Sequence, residues 1–244
     1  MLVRSSYFLL RRMLRGYLGL LLLLVLPFTL ITVLGLVGAE APAVEHGLSM
    51  MDYIALTMIL MFQLFGGAYA LEYLSGDLFA DRRWRMLSLP YPPHTHAFAI
   101  LLASTLFTTA QGLLLLLFTQ WVHGVDWGSI PLVLLVLLLI SLLSQLVGVA
   151  ALFATRNNSL AERVTEVYGF GSIALAEVWF SLPDVGLFDL LSTYGNPISL
   201  GLNAILAIIT GQQVQRAILS VIILLGATAL LGLLTALLGR RKLA

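Results

Sequence analysis

The hydrophobic positions of this chain fall in long runs. They show neither the alternation of a half-buried strand nor the short stripes of a soluble helix. A bilayer core is about 30 Å thick, and about 20 apolar helical residues are needed to cross it. The pattern therefore predicts an all-α integral membrane protein. Six transmembrane helices are predicted, at residues 16–38, 53–74, 97–122, 130–154, 164–182 and 217–238.

The segment between the fifth and sixth predicted spans, residues 183–215, fits this scheme less simply. Its apolar part, residues 198–210, is short, and apolar stretches of about 10–14 residues are more often re-entrant or interfacial. The sequence thus favours short re-entrant helices that break at Asn196-Pro197. A seventh span remains the alternative, although it would move the basic C-terminus to the opposite side of the membrane.

The first residues, 1–15, mix basic with aromatic and aliphatic side chains. This composition predicts an amphipathic helix at the headgroup boundary of the membrane. The alternative is an inward extension of the first span, with arginines that snorkel toward water.

Composition supports a membrane protein and excludes several chemistries. The chain is 60% hydrophobic and 10% charged, whereas an ordinary soluble domain has about 25% charged residues. It contains no cysteine, which excludes disulfides, thiol catalysis and thiolate metal sites. All Lys and Arg residues except Arg216 fall on one side of the six-span scheme. Because Lys and Arg collect in cytoplasmic segments, we expect a multi-pass protein of the cytoplasmic membrane with both termini inside.

One cytoplasmic loop, residues 76–90 (GDLFADRRWRMLSLP), is densely charged. On a helical wheel Asp81, Arg82 and Arg85 share one arc, and the apolar residues share the opposite arc, which Arg83 interrupts. This arrangement predicts a short amphipathic helix. The prolines that follow end it. One interpretation is an interfacial anchor, and the other is a docking helix for a cytoplasmic protein. The residues expected to form the docking contact are Asp77, Phe79, Asp81, Arg82, Arg83, Trp84, Arg85 and Leu87.

Polar residues within the predicted spans are further candidates. Glu177 either faces a transport pathway or lies at the outer interface, paired with Arg216 or reaching water. Gln63, Gln111 and Gln145 are mid-span amides, and most such amides bridge helices while a minority line a path. His94 and His96 lack a third ligand, so no metal site is expected.

The layout resembles the membrane subunit of an ABC-2 type ATP-binding-cassette exporter. Members of that family have an amphipathic N-terminal helix and six spans with both termini inside. They also have a coupling helix between spans two and three and two small re-entrant helices between spans five and six. Local sequence is similar as well: Glu72 near the end of span two, DLFADRRWRMLSLP after it, and HTHAFAILLAS leading into span three. The order matches across nearly the whole chain, 1–244, which would form a single transmembrane domain.

The resemblance implies a half-transporter without enzymatic activity of its own. The chain has no G-x-x-x-x-G-K-[ST] loop, so ATP and magnesium would be bound by a separate ATPase, present in two copies. A second permease subunit, identical or related, and membrane lipid complete the expected partners, and no nucleic acid is expected. The substrate would be hydrophobic or amphipathic: a drug, an antimicrobial peptide or a lipid-like compound. The alternative is a secondary transporter, or an intramembrane enzyme or scaffold, that acts without an ATPase.

Overall fold

The structure is a computed structural model that describes residues 2–16, 19, 21–38, 48–79, 84, 92–178, 183 and 185–243. For residue 187 and residues 241–243 it describes the backbone alone. Within these ranges the chain is helical and contains no strand. The helices are α1 (Leu2–Met13), a π-helical turn (Leu21–Val25) that continues into α2 (Leu26–Val37), α3 (Met50–Phe65), α4 (Ala68–Leu78), α5 (Pro93–His123), α6 (Ile130–Thr155), α7 (Asn158–Leu175), α8 (Gly186–Tyr194), α9 (Pro197–Thr210) and α10 (Val214–Leu243).

Helix ends coincide with local sequence signals. The Ser49 hydroxyl accepts a hydrogen bond from the Asp52 amide while the Asp52 carboxylate accepts one from the Ser49 amide. This reciprocal pair satisfies two amides at the start of α3. Gly124 and Gly211 end α5 and α9 with φ of 71° and 69°, a left-handed conformation that glycine adopts without steric cost.

Four stretches of the described chain are long and apolar enough to cross a membrane: Met50–Leu78, Pro93–His123, Ile130–Thr155 and Val214–Arg240. The protein is therefore a helical membrane protein by length and composition. The first predicted span corresponds to the shorter apolar stretch Leu21–Val37. The predicted fifth span corresponds to α7, which begins and ends several residues earlier than expected and carries Glu162, Arg163 and Glu166 in its first turns.

The span Met50–Leu78 is interrupted at Gly66-Gly67, where α3 ends and α4 begins. A Cβ atom on Gly67 would lie 2.1 Å from the Ser144 Oγ and 2.7 Å from the Ser144 carbonyl oxygen. Only glycine allows this approach between α6 and the interrupted helix.

The buried apolar side chains form two separate clusters. The near cluster, on the side of the charged loop, joins α1, α4, the first part of α5 and the end of α6. The far cluster joins α3, the second part of α5, the first part of α6 and α9. Between them lies a polar layer of buried side chains: Gln63, Thr108, Gln111, Ser141, Ser144 and Gln145.

Residues 186–210 form two short helices that meet at Asn196-Pro197. The Asn196 side chain accepts a hydrogen bond from the Ser199 amide at 2.8 Å and donates to the Leu191 carbonyl at 3.2 Å. It therefore caps both helices at their junction. With 14 residues, α9 is about 21 Å long at 1.5 Å per residue. It packs among α3, α6 and α10.

Candidate functional site: a buried ion-pair cluster beside the charged loop

A buried carboxylate lies where the charged loop leaves α4. The side chain of Asp77 has no exposed surface. One terminal nitrogen of Arg12 donates to both of its oxygens, at 3.0 and 2.9 Å. The His96 Nε2 lies 3.1 Å from one of these oxygens, and the Arg12 guanidinium stacks over the Tyr73 ring at 4.7 Å. We call this arrangement the Arg12–Asp77–His96 cluster.

The N-terminal helix α1 is held against the bundle by the face that carries Arg12. Ser6, Leu9 and Met13 form its buried stripe, which packs in the near cluster. The Ser6 hydroxyl donates to the Ala99 carbonyl of α5 at 3.4 Å. Helix α1 is therefore attached by both apolar and polar contacts to the helices on either side of the loop.

The cluster joins three elements at one point: α1 through Arg12, the end of α4 through Asp77 and the start of α5 through His96. Asp77 lies in the last turn of α4 and His96 in the first turn of α5, so the two helices that flank residues 80–91 are both held to α1. Buried ion pairs are sensitive to geometry, because each charge loses its hydration and must be compensated by its partner. A displacement of either end of the loop must move α1 as well or break this pairing.

The cluster carries no sign of a metal centre. Across the described part of the chain, no group of three or more His, Cys, Asp or Glu side chains is placed to hold a metal ion. His96, considered from sequence alongside His94 as a ligand pair, instead contacts a carboxylate.

The structure changes the role expected of Asp77. The sequence interpretation placed it at the start of the docking helix, but α4 continues through Leu78. The helix continues because its apolar face, with Leu71, Leu74 and Leu78 buried, remains packed in the bundle. The Asp77 carboxylate is thus directed at Arg12 and His96, and it offers no surface to a cytoplasmic partner.

Phe79 and Trp84 differ in their surroundings. Phe79 caps α4 and is half-buried, with its ring centroid 6.5 Å from that of Phe153. Trp84 is 80% exposed. It is therefore better placed than Phe79 for contact with lipid or protein. The remaining predicted contact residues lie outside the described residues: Asp81, Arg82, Arg83, Arg85 and Leu87.

The three mid-span amides all bridge helices. Gln63 Nε2 donates to the Thr108 carbonyl at 2.9 Å, and Gln111 Nε2 donates to the Leu23 carbonyl of the π-helical turn at 2.6 Å. Gln145 donates to the Gly66 carbonyl at 2.7 Å and accepts from the Ala70 amide at 2.9 Å. The Gln145 side chain therefore bonds the Ala70 amide and the Gly66 carbonyl across the break between α3 and α4, and that carbonyl also accepts a hydrogen bond from the Tyr69 amide at 3.1 Å.

Glu177 lies outside α7, because the helix ends at Leu175. It is exposed and has a φ of 55°. Arg216, the partner expected from sequence, hydrogen-bonds Gln213 at 3.4 Å. No ion pair joins Arg216 to Glu177, both of which the structure describes. Of the alternatives considered for Glu177, the pairing with Arg216 is therefore absent, and its exposed side chain agrees with a carboxylate that reaches water.

Sequence reasoning missed Arg12 and His96 as members of the site. Arg12 contributed only to the count of cytoplasmic positive charges, and His96 only to a rejected metal pair. The available signal was an acidic residue immediately after an apolar span, since a carboxylate at that depth needs a cationic partner. Which basic residue becomes that partner depends on the tertiary contact between α1 and α4.

No protein-family model matches the chain, and no curated protein matches it significantly.

Proposed function

We propose that this chain is the permease subunit of an ATP-driven exporter of the ABC-2 type. In this proposal it crosses the cytoplasmic membrane six times with both termini inside. It pairs with a second permease subunit and is driven by two copies of a cytoplasmic ATPase. The exported compound is hydrophobic or amphipathic. The reasons are the sidedness of the basic residues, the order of the apolar segments and the charged loop beside the Arg12–Asp77–His96 cluster.

One observation carries the proposal: the two helices on either side of residues 80–91, α4 and α5, are joined to each other and to α1 by the Arg12–Asp77–His96 cluster. A loop that receives force from an ATPase needs stiff connections to the spans. Asp77 in the last turn of α4 and His96 in the first turn of α5 supply such a connection. The same pairing includes α1 through Arg12. In the proposed mechanism, a displacement of the loop by the ATPase therefore moves α1, α4 and α5 together.

The contact with the ATPase is assigned to Trp84, which is the described residue between Phe79 and Pro92. Aromatic side chains are enriched among residues that dominate protein interfaces, and 80% of the Trp84 surface is exposed. Phe79 offers the ATPase only part of its ring, because the ring also packs near Phe153.

The test is purification of the chain in its native complex, identification of any ATPase that co-purifies with it, and measurement of ATP hydrolysis and transport in vesicles. Trp84→Ala should lower both the amount of bound ATPase and ATP-dependent transport. Trp121→Ala is the matched control, because Trp121 is equally exposed, at 77%, but lies near the far end of α5. Unchanged binding and transport in Trp84→Ala would refute the assigned contact.

The alternative is a secondary transporter, or an intramembrane enzyme or scaffold. It predicts that no ATPase co-purifies with the unaltered chain and that any transport persists without ATP. That result would overturn the proposal as a whole. Unchanged binding and transport in Trp84→Ala, by contrast, would refute only the assigned contact.

A further inference from the structure

The arginines of the N-terminal segment are divided between two faces of α1. Arg12 points inward to Asp77. Arg4, Arg11 and Arg15 are exposed. Backbone hydrogen bonds from Leu14 to Leu10 and from Arg15 to Arg12 continue the helical turn to residue 15. At about 100° per residue the three exposed arginines fall within about 40° of one another, in a stripe about 16 Å long.

An apolar stripe runs beside the basic one. Val3, Tyr7 and Leu14 are 81%, 58% and 53% exposed. They too lie within about 40° of one another, directly next to the arginines. Phe8, 55% exposed, flanks the other side of the basic stripe. The outward face of α1 therefore presents apolar and cationic surface side by side.

The position of α1 in the bundle places this face at the edge of the membrane. Arg12 binds Asp77, one residue before the candidate span Met50–Leu78 ends, and Ser6 binds Ala99 shortly after the candidate span Pro93–His123 begins. Helix α1 is thus attached where both spans leave the apolar core. At that depth apolar side chains meet acyl chains and cations meet lipid phosphates.

We propose that the outward face of α1 is a binding surface for anionic lipid. Arg4, Arg11 and Arg15 contact the headgroups, and Val3, Tyr7 and Leu14 enter the acyl boundary. The combination favours lipid over an acidic protein segment, because the basic stripe is complementary to anionic phosphates while the adjoining apolar stripe is complementary to their acyl chains. This inference does not rest on the proposed transport activity, since it requires only that the chain lies in a membrane.

The test uses the full chain with a single reporter on α1. Because the chain has no cysteine, Phe8→Cys introduces one unique thiol beside the basic stripe, and a fluorophore is attached there. The labelled protein is reconstituted in phosphatidylcholine vesicles with increasing amounts of either brominated phosphatidylglycerol or brominated phosphatidylcholine. The two quenching curves give the ratio of local association constants for anionic and zwitterionic lipid.

The expected ratio favours phosphatidylglycerol by about fivefold for each arginine and by up to about a hundredfold for all of them at low ionic strength. It should decrease as salt is added. In the R4Q/R11Q/R15Q variant the ratio should fall to near one. A label at Leu225→Cys, on the exposed face of α10, should report no preference in either protein.

A second variant separates local binding from overall charge. R156Q/R163Q/R240Q removes the same charge from exposed positions elsewhere, and it should retain the preference at position 8. An equal ratio in the unaltered chain and in R4Q/R11Q/R15Q would overturn the proposal. So would the absence of quenching at position 8 by either lipid when the label at position 225 is quenched, since protein would then cover this face.

Discussion

The Arg12–Asp77–His96 cluster makes a quantitative prediction about stability. Removal of one partner from a buried ion pair costs about 3–5 kcal/mol, because the other charge stays buried without compensation. In Arg12→Met the carboxylate stays buried, with a fully covered side chain, but keeps its contact with His96. We therefore expect the free energy of unfolding to fall by about 3 kcal/mol, near the lower end of that range.

Asp77→Asn should lower the free energy of unfolding by less, about 1–2 kcal/mol. Arg12 is 37% exposed, so it can turn toward water when the carboxylate is absent, and asparagine still accepts a hydrogen bond. The double variant Arg12→Met/Asp77→Asn leaves no buried unpaired charge, so it should lose about 2 kcal/mol rather than the sum of about 4–5 kcal/mol. The coupling energy between the two residues is then about 2–3 kcal/mol.

The free energy of unfolding is measured by titrating sodium dodecyl sulfate into protein in mild detergent micelles and following helix content by circular dichroism. Glu72→Gln and Arg11→Met are matched controls, because both side chains are exposed neighbours of the pair on α4 and α1. Each should change stability by no more than about 0.5 kcal/mol. If the losses of the two single variants add to that of the double within about 0.5 kcal/mol, the argument for a coupled buried pair is refuted.

Two further predictions concern the interrupted span. Gly67→Ala should cost at least about 1–3 kcal/mol, because the new Cβ would lie 2.7 Å from the Ser144 backbone oxygen. Gly171→Ala, where no atom lies within 4 Å, should be neutral or slightly stabilising in the same titration, and equal effects at the two sites would contradict the packing described. Gln145→Leu should cost about 1–2 kcal/mol by removing both hydrogen bonds to the break. Gln212→Leu, at an exposed position, should cost less than about 0.5 kcal/mol, and a loss no larger in Gln145→Leu would show that these bonds are dispensable.

The sequence predicts the long helices well, because the bilayer fixes the length of an apolar run. The span predicted at residues 97–122 corresponds to Pro93–His123, and the one at 130–154 corresponds to Ile130–Thr155. The break at Gly66-Gly67 is not visible in hydropathy, since apolar residues continue on both sides of it. It depends on Ser144 and Gln145 from a different helix, which no local pattern reveals.

The candidate site was predictable in location but not in composition. Charge density and the following prolines identified the loop at residues 76–90. The pairing of Asp77 with Arg12 joins residues 65 positions apart, and only the packing of α1 against α4 and α5 brings them together. The position of Glu177 outside a helix was not predictable for a related reason: the apolar run continues past it in sequence, yet the helix ends at Leu175.

The two hydrophobic clusters separated by the polar layer have a consequence for how the protein unfolds. Cooperative units in proteins follow continuous apolar contact, and here that contact is divided between the near and the far cluster. Helices α5 and α6 pass through both, whereas α3 and α4 each belong to one. We therefore expect amide hydrogen exchange to separate into two protected units, with the boundary near Gly66-Gly67. Each unit would then open transiently while the other stays folded.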